Sequence, residues 1–530
     1  MKNLFLLIVF FLFINCKNET PKFVLEQKSV SVTPEKSNTK AAIEIDSVHL
    51  QSFHSKFLTA FYNSNSNKSV WTTSEKRKII LEFLNKSDEE GLNPLDYSVK
   101  KLNQFESKYD LLSDAECAEY DVLLTHNLQK YISHLTNGRL NPKKLYKNWD
   151  LKENKIDLQE TVSELLKTDS LSFKLDQLKP NFIVYKRLKK ALKIINSFPN
   201  DNFKKIEIKG KLVQNDSNSE IVEVKKRLVY WKDLQPKDSL SVVYDSITVI
   251  AMKKFQKRHG LAADGVIGKG TIMALNFSKN QRKEQIITNL ERWKWYPKNM
   301  GNEFVIINIP EYRLTLIKNK DTLRVHKVIV GRAKRKTPVL SSKLTQAIFN
   351  PTWTVPPTIL REDVIPAISK NRSYLAKTNI RLIDKNGNVV SSRNWSLSNA
   401  RSFRYVQIPG KFNSLGMVKL IFPNRFSVYL HDTNHRDFFD KNERSLSSGC
   451  VRVDNPFELT EYLLDDKENW NLEKITETLQ NEKTKYVSIK KEVLFHLLYW
   501  TAWSEKNTLI FRDDIYNLDA DLYQKLGNRF

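Results

Sequence analysis

Cys450 and His431 are the residues of this chain whose types and spacing suit covalent chemistry. Cys450 lies in Ser447-Ser448-Gly449-Cys450-Val451-Arg452-Val453, and His431 lies 19 residues earlier, in Val428-Tyr429-Leu430-His431-Asp432-Thr433. A cysteine attacks as thiolate, and a neighbouring imidazole can take its proton and return it later. The separation fits two strand ends joined by a loop that folds back. Gly449, directly before the cysteine, lets the backbone bend so that N–H groups near Cys450 can face a developing oxyanion.

Residues two apart on a strand share a face, so Tyr429 sides with His431, and Arg452 with Cys450. Tyr429 suits a catalytic assist or simple packing. The planar fork of Arg452 suits a substrate carboxylate or a structural salt bridge. Asp432, the next residue along, points the opposite way and is a poor orienter of His431. Trp353 could line a cleft or fill a core, and His435 reads as a surface residue. The Cys and His alone are weak evidence, because free cysteines are usually buried and inert.

The elements that must hold these groups begin near residue 301. Val305–Ile309, Leu314–Ile317 and Val325–Val330 are β-rich runs, with a hairpin tip at Asn319-Lys320-Asp321. Earlier, from Ile43 to Asn200, the spacing is helical. Leu124, Leu128, Tyr131, Ile132 and Leu135 mark one face ahead of Gly138, and further helices are expected near 74–86 and 184–195. Between Asn218 and Phe277, Ile221, Val224, Leu228 and Trp231 define one helix face, and Ile247, Ile250, Ala251 and Phe255 a second. A turn with two glycines follows, Asp264-Gly265-Val266-Ile267-Gly268. Cys117 reads as a small buried hydrophobe.

With 530 residues and 40% hydrophobic content, the chain has material for several buried cores. A net charge of +26 draws the surface to something anionic: nucleic acid, acidic lipid or a wall polymer. The apolar run Leu4–Ile14 is too short to span a membrane and fits a secretory leader. Cys16 just beyond it resembles a loose lipobox, so either lipidation at Cys16 or ordinary cleavage is expected. Export disfavours nucleic acid as a partner.

On its motifs the chain resembles the L,D-transpeptidases with a YkuD-type catalytic domain, in the large scaffold-bearing YcbB-like branch. The resemblance rests on His431 with Ser448-Gly449-Cys450-Val451-Arg452, on Phe349–Pro357, and on Gln407-Ile408-Pro409-Gly410 and Asn413-Ser414-Leu415-Gly416. Ala251–Leu261 with Asp264–Gly268 is similar to a small peptidoglycan-binding domain. Glu90–Pro94 and Asn137–Pro142 resemble the branch's helical scaffold. Ser448 departs from other branches, which place His there, and agrees with this one.

The implied fold is a multidomain α+β chain: leader 1–16, flexible tether 17–42, helical scaffold 43–217 and 278–300, three-helix peptidoglycan-binding domain 218–277, and a mostly β catalytic domain 301–530 with a capping insertion about 357–407. The resemblance implies a peptidoglycan transpeptidase in which Cys450 is nucleophile, His431 base and Gly449 part of the oxyanion site. Arg452, Tyr429, Ser448 and Trp353 would bind substrate, and a backbone carbonyl would orient His431. It calls for no metal or organic cofactor. Expected partners are donor and acceptor stem peptides, a membrane through a lipid anchor, and other wall-synthesis proteins, all in the periplasmic envelope. The rival readings are an L,D-carboxypeptidase or wall-attachment enzyme, and a non-catalytic wall-binding lipoprotein.

Overall fold

The computed structural model describes residues 40–527. The expected leader, Cys16 and nearly all of the tether lie outside the described residues.

The N-terminal helices bury an apolar core of their own, which includes Leu58, Phe61, Trp71, Leu84, Leu124, Leu128 and Ile132. The long helix Asp114–Asn137 organises it. Ser113 and Glu116 form a capping box at its start, and Gly138 at φ +75° ends it. The expected helices near 74–86 and 184–195 are found at Ser74–Asn85 and Ile183–Asn196. Cys117 is buried in this helical core.

The region 220–275 holds three helices, Glu220–Tyr230, Ser246–Arg258 and Lys269–Leu275. Ile221, Val224, Leu228 and Trp231 are buried as their spacing requires. The second face needs correction, because Ile247 and Ile250 are 52% and 69% exposed while Val249, Met252 and Phe255 are buried. A spacing count that admits every aliphatic residue rotates the stripe by part of a turn. Gln256 closes the two-glycine turn by accepting from the Gly265 N–H at 2.8 Å and donating to the Val266 carbonyl at 2.9 Å.

Strands dominate the remainder. Along the chain come β1 (Trp149–Asp150), β2 (Glu303–Asn308), β3 (Arg313–Lys318), β4 (Asp321–Gly331), β5 (Val339–Lys343) and β6 (Gln346–Phe349). Then follow β7 (Trp353–Thr354), β8 (Ile380–Ile383), β9 (Val389–Val390) and β10 (Arg404–Gln407). After them come β11 (Val418–Ile421), β12 (Leu430–His431), β13 (Ser445–Ser447), β14 (Val451–Val453), β15 (Lys485–Ser488), β16 (Leu494–Leu498), β17 (Ala502–Glu505) and β18 (Thr508–Phe511).

The main sheet runs β1-β5-β16-β2-β3-β4-β14-β12-β11-β6-β15, with β13 paired to β4. β1 lies inside the segment expected to be wholly helical and pairs with β5 in parallel. Its two residues are too few to carry a strand periodicity. β7 to β10 form a separate sheet in the order β7-β10-β8-β9, over a small core that includes Ile368, Leu382, Trp395 and Tyr405. β7 to β10 thus build a distinct insertion between β6 and β11, whose neck closes where Trp353 and Thr354 pair with Gln407 and Val406.

The last residues return to the helices. The helix Asp519–Leu526 packs on Lys279–Trp295, and β17 packs on Ile183–Asn196. Arg292 is fully buried and ion-paired with Asp519, which also accepts from Thr501 Oγ1 at 2.6 Å. Removing one partner of a buried pair leaves the other charge in apolar surroundings. Asp519→Ala is therefore expected to destabilise the fold by about 3 kcal/mol, read as a lowered melting temperature with faster amide exchange in 519–526.

Candidate active site

Pairing of β12 with β14 builds the site. The two strands are parallel, with Leu430 opposite Val451 and His431 opposite Arg452. One residue back, the Val451 N–H donates to the Tyr429 carbonyl at 3.1 Å, which brings Cys450 beside Tyr429. On the other flank of β12, Lys419 of β11 lies opposite His431. Val418, Leu420, Leu430, Val451 and Val453 point into the core with at most 1% exposure. The alternation of the pleat then puts Lys419, Tyr429, His431, Cys450 and Arg452 together on the other face.

His431 is buried, and its Nδ1 lies 2.5 Å from the Asp432 carbonyl. A ring nitrogen facing a carbonyl carries the proton, which leaves Nε2 as the acceptor. The orienting group is thus the Asp432 main chain. The Asp432 side chain turns away, accepting from the Met417 N–H at 2.9 Å and pairing with Arg436 at 3.0 Å. Gly416 makes room for it, since a Cβ there would stand 2.5 Å from the Asp432 carboxyl. Burial holds the His431 pKa down to about 3, with Arg452 and Lys419 adding to the effect against the Asp432 and Leu415 carbonyls. The imidazole is neutral at ordinary pH.

Cys450 is partly exposed and unpaired. Burial pushes its thiol pKa up, opposed first by the main chain and hydroxyl of Tyr429 and then by Lys419 and Arg452. Trp353, at the neck of the insertion, is close enough to the Tyr429 hydroxyl to offset part of the rise that burial gives it. Tyr429 and His431 meet edge to face, with ring centroids 5.6 Å apart. Arg452 is held with Nε and Nη1 buried and unpartnered. His435 is exposed, stacks on Phe438 at 5.1 Å and stands apart from this group.

The loop before Cys450 is bound from several sides. Gly449 has φ +117°, which a residue with a Cβ rarely adopts. Its N–H donates to Ser447 Oγ at 3.1 Å, and its carbonyl accepts from Thr337 Oγ1 at 2.8 Å. The Gly449 N–H is thereby engaged within the loop itself. Gly331 packs so tightly beneath that a Cβ would stand 2.1 Å from the Arg335 carbonyl and 3.1 Å from Gly449 Cα. Tyr516, from the C-terminal segment, accepts from the Thr337 N–H at 3.0 Å and donates to the Gly331 carbonyl at 2.7 Å. Ser448 Oγ accepts from Arg335 Nη1 at 2.9 Å, and Arg335 also pairs with Glu362 at 2.7 Å and with Asp363. A single guanidinium thereby ties the insertion to the cysteine loop.

Sequence reasoning passed over Lys419, Arg335 and Thr337. Val330-Gly331-Arg332 and Thr337-Pro338 agree with the family's sequence but carry no sign of a role, and nothing in the spacing singles out Lys419. Only the sheet register shows what they face. Among the described residues, no group of three or more His, Cys, Asp or Glu is placed to hold a metal ion, and no helix is long and apolar enough to cross a membrane.

Comparisons with known proteins agree with this layout. Residues 302–475 match the family described as "L,D-transpeptidase catalytic domain", 217–275 the "Putative peptidoglycan binding domain", and 56–192 the "Scaffold domain". A curated relative from Haemophilus influenzae (strain ATCC 51907 / DSM 11121 / KW20 / Rd), named "Putative L,D-transpeptidase", is 33% identical over 270 residues, which cover 49% of this chain and 54% of the relative. The chain thus spans about half the length of that relative. Crystal structures of L,D-transpeptidases from Xylanimonas cellulosilytica DSM 15894 and Stackebrandtia nassauensis align at 14% and 13% identity. They cover 55% and 56% of this chain and 99% and 97% of their own, with TM-scores of 0.18 and 0.20, too low to bear on the argument. The family match to an L,D-transpeptidase catalytic domain covers 302–475, with separate matches to a scaffold and a peptidoglycan-binding domain before it, and the expected α+β architecture is the one found.

Two outcomes follow from the geometry. His431 is held neutral while an unfolded chain would protonate it near pH 6.5, so the unfolded state binds more protons as pH falls. The stability it contributes is present above about pH 6.5 and is lost toward pH 3, so the melting temperature should fall over that window, less steeply in His431→Asn. Arg335→Met should leave the melting temperature within a few degrees while raising amide exchange in residues 357–370 and around Ser448 together.

Proposed function

We propose that this chain is a peptidoglycan L,D-transpeptidase of the cell envelope that works through a Cys450 acyl-enzyme. What carries the reading is the juxtaposition of Cys450, Tyr429 and neutral His431 on one sheet face, within the segment matching an L,D-transpeptidase catalytic domain. A thiol beside a neutral, oriented imidazole is the pairing an acyl transfer needs.

In the first half-reaction the Cys450 sulfur attacks the carbonyl that links a third-position diamino acid to the terminal D-Ala of a tetrapeptide stem. The thiol proton passes to His431 Nε2. The Cys450 N–H stabilises the tetrahedral oxyanion, a donor whose loss typically costs about 2.7 to 4 kcal/mol. His431 then gives the proton to the departing D-Ala nitrogen, leaving a thioester. In the second half an amine from a neighbouring stem attacks, its proton returns through His431, and Cys450 is released with a crosslink between two third-position residues. Water in place of the amine would make the enzyme a carboxypeptidase.

Arg452 brings a guanidinium whose Nε and Nη1 are buried without a partner to the Cys450 side, as recognition of a stem-peptide carboxylate requires. Trp353 and Ser448 line the approach from the insertion and the cysteine loop. The insertion would exclude water during the thioester's lifetime, which favours the amine. The three-helix region would hold the wall polymer near the site, and lipidation at Cys16 would fix the chain at a membrane.

Purified tetrapeptide muropeptides, incubated with the native chain and with Cys450→Ala and followed by mass spectrometry, test the reading. Dimers crosslinked between third-position residues should form with the native chain and vanish in the variant. Tripeptides alone would replace transpeptidation by carboxypeptidation, and the absence of any product from the native chain would leave wall binding as the function.

A further inference from the structure

Lys419 has no place in the mechanism above, yet it stands among the reacting groups. It lies directly opposite His431 on β11, and its Nζ sits 3.9 Å from the centre of the Tyr429 ring. That same tyrosine lies beside Cys450 across the β12–β14 pairing, and its main chain and hydroxyl favour a charge on the sulfur. Among the described residues no carboxylate pairs with Lys419. A half-buried ammonium held without an anion costs stability, and burial indeed draws the pKa of Lys419 down.

The groups around it on each packed element account for the charges. On β12 stand Tyr429 and neutral His431; on β14 and the loop before it stand Arg452 and Cys450. The pull between Arg452 and Cys450 is opposed by Arg332 beyond them. Arg335 is occupied by Glu362 and Asp363, and the Asp432 carboxylate is occupied by Met417 and Arg436. The face therefore carries two cations, Lys419 and Arg452, and one group able to become an anion without substrate, the Cys450 thiol. Both cations oppose a charge on His431, so the imidazolium cannot be the resting counter-ion that stabilises a thiolate.

We infer that Lys419 is a positioning residue for the nucleophile, its ammonium fixed on the Tyr429 ring so that its charge, together with Tyr429, sets the fraction of Cys450 present as thiolate. The inference rests on Cys450 being the nucleophile of the proposed reaction, and it goes beyond that reading by assigning the thiolate's stabilisation to Lys419 and Tyr429 in place of His431. In the step it serves, the sulfur's proton goes to His431 Nε2, the negative charge left on the sulfur is what the ammonium stabilises, and the ammonium keeps its own protons.

The test uses the purified full chain without substrate. Alkylation of Cys450 by iodoacetamide is followed from pH 6 to 11 by mass spectrometry of the Cys450 peptide, for the native chain, Lys419→Met, Lys419→Gln and Lys419→Arg. An opposite charge within about 4–6 Å is worth about one pH unit or more. Lys419→Met and Lys419→Gln should move the midpoint up by about one unit, slow alkylation about tenfold below it and leave the alkaline plateau unchanged. Lys419→Arg should restore most of the shift. Equal midpoints in the native chain and both neutral variants would overturn the inference, as would a shift that arginine does not reverse. Equal midpoints with a raised KM for the tetrapeptide would assign Lys419 to a substrate carboxylate instead. If the midpoints move as expected but the native chain forms no crosslinked dimers, the thiolate role stands and the proposed reaction fails.

Discussion

The site depends on one constraint, the parallel pairing of β12 with β14 between β11 and β4. A strand pair fixes side chains in register to within a residue, and a slip of one would send His431 into the apolar core and Leu430 into the cleft. The core prevents that slip. Leu430 and Val451 are fully buried partners, flanked by Leu420 and Val453, and together they anchor the face opposite the chemistry. Hydrophobic burial on one side of three short strands is thus what holds five polar side chains in place on the other.

That face is cationic before any substrate arrives, and its electrostatics have a direction. Lys419 and Arg452 make protonation of His431 costly and ionisation of Cys450 less so, while burial works against both charges. The resting state is therefore a neutral thiol beside a neutral imidazole, with the stabilisation of negative charge built into the site in advance. Preorganised donors and cations of this kind act without reorganisation at the moment of reaction.

The cysteine loop is supported by distant parts of the chain. Thr337 and Tyr516 clamp Gly331 and Gly449 from the catalytic sheet and the C-terminal segment, and Tyr516 follows a stretch that packs on the helical region. Arg335 reaches the same loop while held by Glu362 and Asp363 of the insertion. The insertion and the C-terminal segment each end in a contact near the cysteine loop, and the C-terminal segment packs in turn on the helices.

The sequence by itself determined the local and patterned features. Alternation in 305–330 announced strands and the spacing at Leu124 to Leu135 announced a long helix, because these signals live within a few residues of one another; Cys450 and His431, 19 residues apart, suggested a thiol chemistry only through the resemblance of their motifs. Tertiary structure decided what depends on long-range register. It turned Lys419 from an ordinary strand lysine into a neighbour of Tyr429 and His431, and it identified the backbone carbonyl beside His431 as that of Asp432. It also joined β1 to a sheet whose other strands begin about 150 residues later. Local periodicity is written in adjacent residues and survives inspection of the sequence. Which strand lies beside which is settled by the packing of whole faces, and no spacing along the chain records it.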